Sequence, residues 1–495
     1  MPATVLDTAA LDHLDEHIRI PRYDRNAVTP GIVHFGVGGF HRAHQAAVVD
    51  DLLAAGETSW GICGVGLLPT DAAMRDALRA QDHLYSLMKR EADGSETVRV
   101  IGAIVDYIFA PEEPERVLAR LTDPATRIVS LTITEGGYLQ NHATGLFDPN
   151  SPTVRADLAD PEHPRGAFGY IVEALRIRRS HGIPPFTVMS CDNIRSNGEI
   201  SRQATVGLAR LRSAELADWI NSNVMFPNSM VDRITPATTA DDRTLICDRH
   251  GLRDAWPVAS EDFFQWVLED HFSDGRPPFE KAGVELVHDV VPFELMKLRM
   301  LNASHQVLAY LGLLMGHRLV HEAAGDELLL RLLRQFWRSE AIPTLQQIPG
   351  VDFSDYGESL LKRYANPYVR DTLERLATDA SNRIPTFVLP IVQDRLAAGA
   401  RAPISTLTVA AWERFVLGVD DEGAPIAAPD ERGDSLRQRA AIGGDGTDGF
   451  LGEPGVFGTL ATASVFASEF AHFESTLRKA GARAAITRAL DSGAE

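Results

Sequence analysis

The chain has 495 residues, 44% hydrophobic and 23% charged, with 68 acidic against 48 basic side chains and a formal net charge of −20. One hydrophobic core does not serve that length, so two domains are expected, each with its own core. The negative field disfavours nucleic acid or an anionic membrane as partner, and no apolar run approaches the roughly 20 residues that span a bilayer, so a small-molecule ligand fits best.

The opening MPATVLDTAALDHLDEH carries acidic residues where a signal peptide needs a basic and then a long apolar stretch, which points to the cytoplasm. The first element is an apolar strand, Ile32 to Phe35, followed by a glycine turn (Gly36, Gly38, Gly39) and then helical patterning through Val48, Val49, Leu52 and Leu53. A strand, glycine turn and helix in this order bring backbone N–H groups up to a pyrophosphate. The fingerprint G-x-G-x-x-G is incomplete, because its third glycine is replaced by His41, and a plain glycine-rich turn is the alternative. A second strand, Trp60 to Val65, completes a βαβ unit. Asp71 beyond it can either take ribose hydroxyls or cap the helix DAAMRDALRA. No arginine adjoins it to receive a 2′-phosphate, which favours NAD.

Further strands are expected at 98–109, 127–134 and 186–191, with a helix from Gly166 to Ser180, so the sheet should be parallel and doubly wound. Two strand ends carry polar clusters, Thr134, Glu135 and Gly136 in one case and Asp192, Asn193 and Asn197 in the other, suggesting one crevice. A polar turn ahead of a helix starting near Glu199 is the alternative for the second. In FPNSMVDRITP (226–236), which includes Val231, an Asp232–Arg233 ion pair could be structural or lie beside a ligand. The domain boundary falls near residue 287, giving 1–287 as the dinucleotide-binding domain and 288–495 as a mainly helical one. Cys63, Cys191 and Cys247 form no C-x-x-C, and the histidines no H-E-x-x-H, so a reducing compartment and no metal site are expected.

Helices are expected at 292–316, 325–338, 356–364, 369–378, 386–398, 406–417 and 463–490, with a Gly-, Asp- and Pro-rich loop over 419–457. The first of these is unusual, since Glu294, Lys297, Asn302 and His305 interrupt an otherwise apolar helix. At 100° per residue they occupy an arc of about 140°, with Lys297 and His305 about 12 Å apart along the axis, a spacing suited to an extended hydroxylated ligand. Desolvation draws a buried lysine towards neutrality, where it serves as a general base. The alternative is a hydrogen-bonded Asn and His in a helical core, with Lys297 snorkelling to solvent. Arg375 lies four residues after Asp371, the spacing of a helix-surface pair, and Arg383 follows eight residues on.

The segments GIVHFGVGGFHRAHQ, WGICGVGL, MRDALRAQDHLYSLMKRE, FTVMSCDNIRSNG, FPNSMVDRITP, WVLEDHFSDGRPPFE, ELMKLRMLNASH and RIPTFVLP together resemble the polyol-specific long-chain dehydrogenases, the mannitol dehydrogenase family, over nearly the whole chain. The resemblance implies a Rossmann-type domain followed by a helical substrate domain. It implies no metal, NAD(H) or NADP(H) as cofactor, with NAD favoured by the missing arginine, a monomer, and interconversion of a polyol with its ketose, D-mannitol and D-fructose first. It makes Lys297 the catalytic base, Asn193 and Asn302 donors to the substrate oxygen, and Glu294 a proton relay. It places His305, Arg375 and Arg383 along the sugar chain, and Gly36, Gly38, Gly39, Phe40, Asp71, Glu135, Val231 and Asp232 on the cofactor side. A fructuronate reductase, a dehydrogenase of another polyol and a non-catalytic NADH sensor are the alternatives.

Overall fold

Ile32, Ile62, Ile104 and Ile128 are fully buried on one face of a sheet, and Val33, Cys63, Val129 and Val188 on the other, as parallel strands covered from both sides require. In the computed structural model, which describes residues 3–91, 93–141, 145–443 and 449–492, these residues form a five-stranded parallel sheet. Its order is Ile104–Phe109, Gly61–Gly66, Pro30–Phe35, Ile128–Leu131, Thr187–Ser190. Helices Gln45–Ala54 and Ala72–Ala80 cover one face, and Pro114–Thr122, Ala167–His181 and Asn197–Arg212 the other. Strands are added first on one side of Pro30–Phe35 and then on the other, so a topological switch point lies at its carboxyl end.

The stretch 98–109, expected as one strand, is two. Glu96–Ile101 pairs antiparallel with Tyr85–Arg90 in a small mixed sheet, whereas Ile104–Phe109 joins the parallel sheet. The break falls at Gly102, whose N–H donates to Asp50 Oδ1 at 2.9 Å and where a Cβ would lie 2.8 Å from Pro21 Cγ. Apolar alternation runs on across that glycine, so the pattern alone does not reveal the change of partner.

Contacts divide the chain into Met1–Val291 and Pro292–Glu495. The strand Glu285–Val287, at whose end the boundary was expected, pairs with Gln265–Glu269, and the few residues after it stay with the first unit. Helices build the second unit. Ala303–Leu314 is buried along its whole length and packs on Leu373–Ala377 and Pro403–Val416. Gly312 does not end it. A Cβ there would lie 2.9 Å from Leu373 Cδ1 and 3.2 Å from Ala323 Cβ, so the glycine permits close helix contact. The helix expected at 369–378 is only Leu373–Ala377, and that expected at 386–398 is preceded by Ala380–Phe387, with a break at Val388 before Pro390. The expected 419–457 loop contains the helix Gly433–Ile442; its residues 444–448 lie outside the described ones. Among the described residues no helix is long and apolar enough to cross a membrane.

Candidate active site

At the end of Pro30–Phe35 the chain turns through Gly36 with φ +92, and a Cβ there would lie 2.0 Å from the Thr132 carbonyl oxygen of the neighbouring strand's extension. Only glycine fits that approach. Gly38 is exposed and open, with nothing nearer a Cβ than the Gly36 oxygen at 4.0 Å, and Gly39 begins the short helix Gly39–Ala43. Phe40 stacks on His44 at 4.8 Å. Where the fingerprint wants its third glycine, the His41 ring lies flat on His34, centroids 3.4 Å apart. The helix thus meets the strand through stacked imidazoles. His34 reaches Ser130 Oγ (2.8 Å), Thr132 Oγ1 (2.9 Å) and the Gly36 carbonyl (3.1 Å). Burial pushes His34 down to about 3 and His41 well below its usual range, so both rings are neutral. A turn that a Cβ would fill, beside an open glycine, fits a dinucleotide pyrophosphate.

Asp71 ends the turn Pro69–Asp71, and its carboxylate accepts from Leu68 N–H at 2.9 Å. It therefore caps this turn from beyond the end of Gly61–Gly66, with its side chain half-buried. Arg75, one helical turn on, is held by Asp76 and Glu112, each at 2.8 Å. Glu135 is exposed at the start of the turn Glu135–Tyr138. Before it, Thr134 adopts φ 60 and ψ 168, a conformation almost confined to glycine. Asp192 holds it there, accepting from Ile133 N–H (2.8 Å), Thr134 N–H (3.1 Å) and the Tyr138 hydroxyl (2.7 Å). The two polar strand ends thus meet through Asp192. The strained Thr134 and its Tyr138 support had no signal in the sequence beyond a Gly-Gly-Tyr turn. Asn193 is exposed in the next turn, while Asn197 is fully buried and bonded to Asp192 O and Ser229 O, a structural role. Val231 and Asp232 lie buried in the strand Ser229–Asp232. Arg233 donates to the carbonyls of Phe263, Asp262 and Ala43, so it straps three backbone segments together.

In the second unit the polar helix is continuous but not uniformly α. Val291–Met296 is α-helical, Lys297–Asn302 is a π-turn, and Ala303–Leu314 is α-helical again. The Ala303 N–H bonds the Leu298 carbonyl five residues back. The projection at 100° per residue therefore fails at Lys297. Residues five apart, about 140° apart on an α-helix, lie one above the other where hydrogen bonds join i to i+5. Lys297 and Asn302 are such a pair. Glu294, Lys297 and His305 are buried, 5%, 6% and 8% exposed. The buried Asn302 Oδ1 has no hydrogen-bond partner among the described residues, which marks a place for a ligand donor.

The arginines are already engaged. Exposed Arg375 is paired through two nitrogens with Asp371, which raises its pKa. Arg383 Nη1 donates to the Arg375 and Leu376 carbonyls (3.1 and 3.0 Å), and Gln306 Nε2 also reaches the Leu376 carbonyl (3.2 Å). Arg383 thus ties Leu373–Ala377 to Ala380–Phe387, and Gln306 ties it to the helix that carries His305. Among the described residues no cluster of three or more His, Cys, Asp or Glu could hold a metal ion.

A doubly wound sheet with a glycine cradle, and a helical unit with a lysine and a carboxamide on one turn, define a two-unit dinucleotide-dependent dehydrogenase. The chain belongs to the mannitol dehydrogenase family, whose Rossmann-domain model matches residues 30–281 and whose C-terminal-domain model matches 289–477. It is 43% identical over 493 residues to the mannitol 2-dehydrogenase of Phaeosphaeria nodorum, covering 98% of this chain and 86% of that protein. To the mannitol 2-dehydrogenase of Aspergillus fumigatus it is 45% identical over 448 residues, 89% of each chain. Among solved structures it is similar to Pseudomonas fluorescens mannitol 2-dehydrogenase in ternary complex with NAD and D-mannitol, at TM-score 0.88 and 41% identity over 99% of this chain and 100% of that one. A D-sorbitol dehydrogenase in substrate-free form gives TM-score 0.91 at 41% identity, over 98% and 100%.

Proposed function

We propose that this chain oxidises a hexitol at C2 to the 2-ketose and catalyses the reverse reduction, with NAD(H) as redox partner and D-mannitol and D-fructose as the principal pair. The observation that carries the reading is the buried Lys297 on one π-turn with Asn302, in a chain so similar throughout to a protein solved with NAD and D-mannitol. Gly36, Gly38, Gly39 and Phe40 hold the dinucleotide, with Asp71, Glu135, Val231 and Asp232 also on its side. When bound, its nicotinamide exchanges a hydride with C2 of the substrate.

Lys297, buried in the helix, is the general base: as the amine it accepts the C2 hydroxyl proton, and as the ammonium it donates in the reverse direction. The carboxamides of Asn302 and Asn193 donate to the oxygen as it gains negative charge, where one such donor is worth about 3 kcal/mol. Glu294, one turn before Lys297, passes the proton towards water, and His305 binds further along the sugar chain. Arg375, with its fork filled by Asp371, favours a neutral sugar over a uronate. The protein is proposed to work as a cytoplasmic monomer, which size-exclusion chromatography with light scattering checks.

A sorbitol dehydrogenase is the second reading, favoured by the TM-score of 0.91. D-mannitol and D-sorbitol are C2 epimers that give the same ketose, so the rate of D-fructose reduction does not separate them and the oxidative direction does. The test measures NAD reduction with each polyol and NADH oxidation with D-fructose and D-fructuronate, at matched concentrations. Mannitol and fructose should turn over fastest. Faster sorbitol oxidation would move the substrate, faster fructuronate reduction would overturn the ketose reading, and NADH binding without any turnover would leave a sensor.

A further inference from the structure

A π-turn removes carbonyl groups from the α-helical ladder, and such turns persist only where other groups take those carbonyls over. Here side chains from elements distant in sequence bond to carbonyls within the turn. The Met300 carbonyl accepts the Trp337 indole N–H at 2.9 Å, in a buried contact. The Leu301 carbonyl accepts the Ser304 hydroxyl at 3.0 Å and the Tyr364 hydroxyl at 3.3 Å, and the two hydroxyls are 2.8 Å apart. Arg299, inside the turn, donates to the Thr344 carbonyl at 2.6 Å and pairs with Asp394 at 2.7 Å.

Trp337 is itself rigidly held. It opens a second π-turn, Trp337–Ala341, in which the Ile342 N–H returns to the Trp337 carbonyl. Glu340 of that turn is fully buried and accepts from Ile404 N–H (2.6 Å), Ser405 N–H (2.8 Å) and the Ser405 hydroxyl (2.6 Å), at the start of Pro403–Val416. Gly357 lies against the indole, where a Cβ would come within 2.9 Å of Cε3. Tyr364 carries a second link, its ring 4.9 Å from that of His305.

We propose that Trp337 and Tyr364 are positioning residues that hold Lys297–Asn302 as a π-turn and thereby set the lysine amine and the asparagine carboxamide on one face for one substrate oxygen. The inference rests on the activity proposed above. Were the turn to relax to α-helix, Lys297 and Asn302 would separate by about 140° around the axis and could no longer serve one atom.

Trp337→Phe keeps an aromatic ring and removes the N–H, and Tyr364→Phe removes only the hydroxyl. Three readouts are taken on the full chain: amide hydrogen exchange over 298–304, NADH affinity, and kcat, KM and the kcat–pH profile for D-fructose reduction. Trp337→Phe should speed exchange over 298–304 alone by about tenfold or more and leave NADH affinity within about twofold. It should lower kcat by roughly 10- to 100-fold with little change in KM, and displace the kcat–pH profile, as misplacement of a catalytic group does. Tyr364→Phe should act in the same direction to a smaller extent, and decides the matter if the tryptophan variant does not fold. Unchanged exchange over 298–304, or faster exchange with kcat and its pH profile intact, would overturn the proposal. If the parent chain reduces no sugar, the activity reading fails by itself, while unchanged exchange would separately show that these residues do not hold the turn.

Discussion

Lys297 is buried on a turn shared with Asn302, and a positioned general base typically contributes 10²- to 10⁴-fold to rate. Lys297→Ala should therefore lower kcat in both directions by about 10³-fold while NADH still quenches tryptophan fluorescence with parental affinity. Added primary amines should restore part of the rate. Turnover within about tenfold of the parent would remove the lysine from the chemistry. A second prediction concerns Arg375, whose guanidinium is neutralised by Asp371. Asp371→Asn should free that charge and raise kcat/KM for D-fructuronate relative to D-fructose by roughly tenfold, the scale of one partly exposed charge pair. An unchanged ratio would place Arg375 away from the sugar. The sequence reveals these residues because polar side chains are conspicuous in an apolar helix. It does not reveal that Lys297 and Asn302 share a face, since that follows from a change of helical period fixed by Trp337 and Tyr364, residues with no local signature. Nor does it reveal that Arg383 serves two carbonyls, because spacing gives its position but not its acceptors.

Among the elements, the glycine turn separates two kinds of necessity that its sequence presents as one. Gly36 is required by the protein, because φ +92 and a Cβ 2.0 Å from Thr132 O leave no room for alanine. Gly38 has φ −87 and ψ −175, which alanine adopts without strain, and no atom nearer its Cβ than 4.0 Å. Gly38→Ala should thus melt within about 1 °C of the parent, as expected for an unstrained exposed site, yet bind NADH about 10- to 100-fold more weakly if the cofactor backbone lies against that position. Parental affinity, titrated by fluorescence, would detach Gly38 from the cofactor. The parallel strands are legible because burial on both faces writes continuous apolar runs. The small mixed sheet is not, since the run 98–109 keeps its alternation through Gly102 while its pairing partner changes. The third glycine position likewise reads as a defect until His34 and His41 are seen stacked.

Across the whole molecule, buried His34 in the first unit and buried Glu340 and Glu413 in the second contribute to stability in opposite directions with pH. In the first unit burial holds His34 at about 3, against 6.5 when unfolded. The unfolded chain therefore binds the extra proton between these values, and this group's contribution, complete above about pH 6.5, is lost as pH falls. In the second unit burial raises Glu340 to about 7, and burial also raises Glu413 to about 7 despite Arg478. There the folded chain holds the extra proton between about 4.5 and 7, so the contribution is present below 4.5 and lost as pH rises through 7. Between about pH 4.5 and 6.5 the windows overlap with opposite slopes, each at most about 1.4 kcal/mol per pH unit for one proton. His34→Gln removes one slope, and Glu340→Gln removes its own share of the other, which Glu413 still carries. Relative to the parent, the melting temperature of Glu340→Gln should climb by a few degrees as pH rises from 4.5 to 7, and that of His34→Gln should decline over 4.5 to 6.5. Parallel pH dependences for the two variants would mean that neither group keeps, in the folded chain, the charge state its burial dictates.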